Sequence, residues 1–207
     1  LFSGTGVEVF RQAQFPLYAW GSVLLLFTGA RPAEISQLQH QDVLQDDEGT
    51  WYLRLMQNDE GDEEVGAGNN QVVAQKQFKT VSSERSIPIH PCVLELGFLN
   101  YVKNFKASER LFPEAFRHNQ KASREIGDWF NGKLLKETGL KREGVVLYSL
   151  RHTVINRFKA DATVDHYACA YTGHSTADDK TISNRVYREK YGRAFSPTTL
   201  AQNLHPL

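Results

Sequence analysis

The sequence predicts a mainly helical domain carrying one small antiparallel β-sheet, an α+β chain of 207 residues. Two observations predict it. From Val93 onward apolar residues recur at helical spacing, whereas three short strand-like runs follow one another between positions 51 and 89. No crossover helix separates those runs, which points to a small antiparallel sheet.

Leu17 to Phe27 is a compact apolar stretch and reads as a buried helix. Thr28-Gly29-Ala30 breaks it, and Pro32 suits the first position of the next helix. That helix places Ala33, Ile35 and Leu38 near one face, with Glu34 and Gln37 outside it. Residues 51–56, WYLRLM, alternate like a strand, and Val72 to Phe78 and Arg85 to Ile89 give two more. Residues 45–70 read as an acidic loop or hairpin insert, with Gly and Asn concentrated in 58–70. Helices are expected at roughly 93–104, 121–137, 149–159 and 163–172, with a last one after Pro197. Residues 1–207 form a single domain in this reading, without internal repeats.

Composition is that of an ordinary globular protein, 41% hydrophobic and 23% charged. The longest apolar run, around Val23 to Phe27, is far too short to span a bilayer, and no basic-then-apolar leader opens the chain. Cys92 and Cys169 make neither a metal-ligand spacing nor a disulfide framework, which fits a reducing cytoplasm. The chain starts at Leu1 without a Met and reads as a fragment of something longer.

The formal net charge is zero, which by itself argues against a nucleic-acid partner. Its distribution along the chain points the other way. Residues 45–64 hold eight acidic side chains against Arg54 alone, so the segment is −7 and the remainder +7. Residues 101–160 carry thirteen Lys or Arg and six Asp or Glu. A basic body with one acidic loop can hold a polyanion, although a charge run is by default a solvated face.

Four segments carry residue types suited to phosphate chemistry. In the first, TGARPAEI, Arg31 sits at a turn between apolar helices with Glu34 one turn on; alone this reads as a structural Arg–Glu pair. In the second, Lys79 begins the turn before Arg85-Ser86-Ile87-Pro88-Ile89. A hairpin lysine is by default surface charge, but beside phosphates an ammonium is a compact acid. In the third, YSLRHT, Ser149 is a candidate N-cap that puts Arg151 and His152 in the first helical turn. The backbone N–H groups there favour an anion. In the fourth, YTGHS, Gly173 is a helix stop leaving His174 in a turn, thirteen residues before Tyr187. Tyr187 and Tyr191 would share a helix face, a spacing more typical of packing.

In order, Arg, Lys, Arg-His, Gly-His and Tyr are the landmarks of the tyrosine recombinases, and the chain resembles the catalytic domain of that phage-type integrase family. TGARPAEISQLQHQDV resembles its first arginine box, KTVSSERSIPI its lysine hairpin, and YSLRHTVINRF with YTGHS its second box. The resemblance implies Arg31 and Arg151 as the phosphate-clamping arginines, Lys79 as general acid, His174 as the Gly-His histidine, and Tyr187 as nucleophile with Tyr191 as the rival. Glu34, Tyr148 and His152 take supporting roles. Tyr148 stands where the family usually has His, and a phenol can donate to phosphate without bringing positive charge.

The implied reaction is site-specific DNA strand exchange through a 3′-phosphotyrosine, with no metal, ATP or other cofactor. The implied partners are double-stranded DNA attachment sites, a homotetramer on DNA from a monomer alone, and accessory DNA-bending proteins, with no membrane. The setting is the cytoplasm of a bacterium or phage host. The family's N-terminal core-binding and arm domains are missing from the sequence, so weak DNA binding is expected of the chain alone. The segment Ser196 to Leu207, with Leu200 and Leu204 at helical spacing, docks either on a neighbouring subunit or on its own domain. The competing readings are a type IB topoisomerase, a catalytically silent DNA-binding relative, and an unrelated helical domain in which Arg31, Arg151 and His174 lie far apart.

Overall fold

The computed structural model describes residues 5–56, 84–117, 121–161, 163, 165–173 and 195–204. After α1 (Thr5–Arg11), a π-helical segment, Leu17–Gly21, runs directly into α2 (Ser22–Thr28). The apolar stretch is thus one continuous helix. Leu17, Val23, Leu24 and Leu25 are buried in the core. Gly29, in the left-handed region at φ 59°, ends α2, and α3 (Pro32–Ser36) starts with Pro at its first turn. Glu34 and Gln37 are buried, not outside the packed face. Periodicity assigns a charged side chain at the start of a short helix to solvent, and here a tertiary partner overrides that assignment.

The sheet is three-stranded and antiparallel, in the order β1 (Val43–Gln45), β2 (Trp51–Met56), β3 (Glu84–Pro88). Val43 lies opposite Leu53, and Leu53 opposite Ile87, giving one buried row across all three strands. The expected strand at 72–78 lies outside the described residues. The described edge strand is instead Val43–Gln45, three residues that show too little alternation to be read from sequence. Of the expected acidic insert at 45–70, residues 46–50 form the turn into β2, and 57–70 lie outside the described residues.

The expected helix at 93–104 is two shorter ones, α4 (Pro91–Glu95) and α5 (Phe98–Val102), divided at Gly97 with φ 89°. Then α6 (Arg124–Trp129), a π-helical segment (Phe130–Leu134) and α7 (Leu135–Glu137) form one unbroken run. α8 (Ser149–Ala160), α9 (Asp165–Thr172) and α10 (Pro197–Asn203) match the expected helices. Ser149 does not cap α8 as expected: it is the first helical residue, and its Oγ accepts from the Val146 N–H at 3.1 Å in the preceding loop.

α10 packs on its own domain against β3, with Leu200 and Leu204 buried. Asp46 Oδ2 accepts from Thr198 Oγ1 at 2.9 Å and from the Thr198 N–H at 3.2 Å, which ties the helix to the β1–β2 turn. Among the described residues no helix is long and apolar enough to cross a membrane.

Candidate functional site

The site is built on the turn between α2 and α3. Thr28 Oγ1 donates to Leu24 O at 2.6 Å and accepts from the Ala30 N–H at 3.1 Å, which ties the residues after the helix back to its last turn. Gly29 must be glycine for two reasons. Its φ is left-handed, and a Cβ there would sit 2.9 Å from Val154 Cβ on α8. Arg31 follows in extended conformation (φ −74°, ψ 144°), as the residue before proline should, and Glu34 accepts from its backbone N–H at 2.7 Å.

Arg151 approaches that turn from α8. Thirteen Lys and Arg fall in residues 101–160, all among the described residues, and Arg151 alone of them is buried, at 4% exposure. Burying a guanidinium is costly unless it is hydrogen-bonded. Arg151 Nη1 donates to Gly29 O at 2.5 Å, two residues from Arg31. Burial, then the positive charges of Arg31 and Arg85, push the Arg151 guanidinium below its ordinary value, while Tyr148 and Glu34 act the other way. It remains a cation at neutral pH. The two predicted arginines, 120 positions apart, therefore converge on one locus.

Tyr148, the residue before α8, and His152, in its first turn, flank this group. Their rings meet edge-on, centroids 5.3 Å apart, and His152 is exposed at the surface. Lys79, His174, Tyr187 and Tyr191 lie outside the described residues. Gly173, next in sequence to His174, has φ 65° and ends α9 as expected.

Two residues to which the sequence reading gave no role complete the arrangement. Arg85, on β3, makes a bidentate pair with Glu34: Nη1 to Oε1 at 2.8 Å and Nη2 to Oε2 at 2.7 Å. Burial pushes the Glu34 carboxyl upward; the Arg85 guanidinium, with Arg31, more than reverses this and holds it below its ordinary value. Tyr171 is buried on α9, and its O–H donates to Phe27 O at 2.9 Å, fastening α9 to the end of α2. A signal for Arg85 was present. It has the same parity as Ile87 and Ile89, both buried, so strand alternation puts it on the core face, where an arginine is rare.

Among the described residues no group of three or more His, Cys, Asp or Glu is placed to hold a metal ion. The arrangement can chemically do one thing well. Arg31 and Arg151 form a cationic locus at the Gly29 turn, suited to an anion through their guanidiniums. The first-turn N–H groups of α8 do not add to it as expected, because those of Ser149, Leu150 and Arg151 donate to the carbonyls of Val146, Leu147 and Tyr148.

The mainly helical architecture with its three-stranded antiparallel sheet is the fold of tyrosine recombinase catalytic domains. The XerH site-specific recombinase, solved bound to difH substrate in a pre-cleavage complex, superposes with a TM-score of 0.53 at 14% identity, over 90% of this chain and 49% of that one. The Tn1549 transposon integrase, solved in complex with transposon right end DNA, gives 0.56 at 17% identity, over 96% of this chain and 61% of that one. This chain thus spans about half to three-fifths of the length of those proteins. A scan against protein-family models gives no match, and a search of curated proteins gives none either.

Proposed function

We propose that the chain is the catalytic domain of a site-specific DNA recombinase that cuts and rejoins double-stranded DNA through a tyrosine nucleophile. The observation that carries this reading is the convergence of Arg31 and Arg151, the second buried and bonded to the turn that presents the first. In this reading the two guanidiniums hold the non-bridging oxygens of one scissile phosphate, where negative charge grows as the phosphorane-like transition state forms.

The Tyr187 phenol attacks phosphorus. A Tyr O–P bond forms, the P–O5′ bond breaks, the phenol proton departs, and the leaving 5′-oxygen takes up a proton. A free phenol of pKa about 10 is nearly all protonated at neutral pH, so the departing proton needs an acceptor and the nucleophile needs nearby positive charge. Lys79 is assigned as the donor to the 5′-oxygen, and His174 as a hydrogen-bonding partner of the phosphate. Tyr148 donates a hydrogen bond where the family usually has His. The phosphotyrosine bond conserves the energy of the bond it replaces, so a second 5′-hydroxyl can reseal the strand without metal or ATP. Two duplexes and four cuts require four such domains on DNA.

The test is covalent capture. The protein is incubated with a pool of nicked duplexes of random sequence, and adducts surviving SDS are counted and sequenced. Wild type should form them. Y187F should not, and R151A should lower the rate on the order of 10²–10³-fold, the scale of losing one transition-state donor. Adducts retained in Y187F and lost in Y191F would move the nucleophile to Tyr191. A wild-type protein that binds the pool but forms no adduct would leave a silent DNA-binding relative as the reading, and relaxation of supercoils without exchanged strands would leave a topoisomerase.

A further inference from the structure

Glu34 is the joint of the site. Its side chain is 2% exposed, and both of its oxygens accept twice. Oε2 takes the Arg31 backbone N–H and Arg85 Nη2, each at 2.7 Å. Oε1 takes Arg85 Nη1 at 2.8 Å and Arg31 Nη1 at 3.3 Å. Arg85 uses its third nitrogen elsewhere: Nε donates to Tyr171 O at 3.1 Å, at the last turn of α9. The guanidinium lies where Gly173 has no side chain, since a Cβ there would stand 2.9 Å from Nη1 and 3.0 Å from Cζ. One planar group therefore joins three separate pieces of chain: β3, the start of α3, and the turn that ends α9.

We propose that Arg85 is a positioning residue of this site, setting where Arg31 stands through Glu34 and where the α9 terminus stands through Tyr171 O. The proposal rests on the reading of Arg31 and Arg151 as the phosphate-holding pair. Arg85 itself need not touch DNA. Its function depends on the fork, because two parallel donors and a third at a fixed angle hold a carboxylate and a carbonyl in one geometry. Lysine carries the same charge as a single point and cannot hold all three contacts.

R85K is therefore the decisive variant in the 207-residue chain. At saturating nicked-duplex pool, its single-turnover rate of adduct formation should fall by at least about tenfold, since small displacements of positioned groups cost that much or more. Its half-saturating duplex concentration should stay close to wild type, and although the weakened buried pair lowers its thermal midpoint, the protein should remain fully folded at the assay temperature. In ¹⁵N-arginine-labelled protein, the Arg31 Nε–H resonance should move. The double variant E34Q/R85Q, which removes both charges of the buried pair together and also takes the carboxylate from Arg31 Nη1, should show the same split between rate and binding.

An R85K protein that forms adducts at the wild-type rate overturns the proposal. So does a loss of rate that only follows a loss of folded protein, and so does an unmoved Arg31 resonance. If wild type forms no adduct, the recombinase reading falls, and the Arg31 resonance in R85K still decides whether Arg85 positions it.

Discussion

Gly29→Ala tests the joint on which the site is hung. Gly29 sits at φ 59°, and the added methyl would lie 2.9 Å from Val154 Cβ, 3.0 Å from Cγ1 and 3.4 Å from Cγ2. Holding an L-residue in the left-handed region costs about 1–2 kcal/mol. The contact costs more, because a Cβ cannot rotate away and Val154 is itself buried on α8. Overpacking of this kind adds about 1–3 kcal/mol, for a total near 2–5. In a domain of this size each kcal/mol lowers the melting temperature by about 2–4 °C, so a drop on the order of 10 °C is expected.

Gly49→Ala is the control. Its φ is 88°, but the nearest atom to an added Cβ is Gln45 Nε2 at 3.8 Å, so only the backbone strain applies. The difference between the two variants in urea melts isolates the packing between α2 and α8. Because Gly29 O accepts from Arg151, adduct formation should fall with the turn's displacement. A Gly29→Ala protein within about 0.5 kcal/mol of wild type, the range of an indifferent surface change, would refute this account of the joint.

Two further outcomes follow from other contacts. His90 Nδ1 accepts from the Cys92 N–H at 3.1 Å at the start of α4, its ring stacks on Phe27, and burial, partly offset by Glu95, lowers its pKa from 6.5. Below pH 6.5 the unfolded chain takes up the proton more readily than the folded one, so stability is fully present above 6.5 and declines as pH falls through the folded value. His90→Asn replaces the capping Nδ1 with a side-chain oxygen that does not titrate there; thermal midpoints at stepped pH should show the decline in wild type only, and equal slopes would exclude His90 as its source. Asp46→Ala removes the acceptor of both Thr198 bonds, so amide exchange across α10 should quicken while β2 stays protected; unchanged exchange in α10 would mean that Leu200, Leu204 and the Thr50 Oγ1–Thr198 Oγ1 hydrogen bond hold it without Asp46.

What the sequence determined by itself is local. The apolar run ending at Gly29, the Arg31-Pro32 start of α3, the 51–56 strand, and α8 were all legible, because each is decided by neighbours within a turn or a pleat. The expectation that Arg31 and Arg151 meet was legible too, from their places at the turn after α2 and at the start of α8. Only the tertiary structure decided that Glu34 is buried, since the partner that neutralises it, Arg85, is 51 positions away on β3. It also decided that α10 lies on its own domain, through an Asp46–Thr198 contact spanning 152 positions. Contacts of that range leave no periodicity in the chain; they exist only where packing brings two elements together and a buried charge or open hydrogen-bonding group must find its partner.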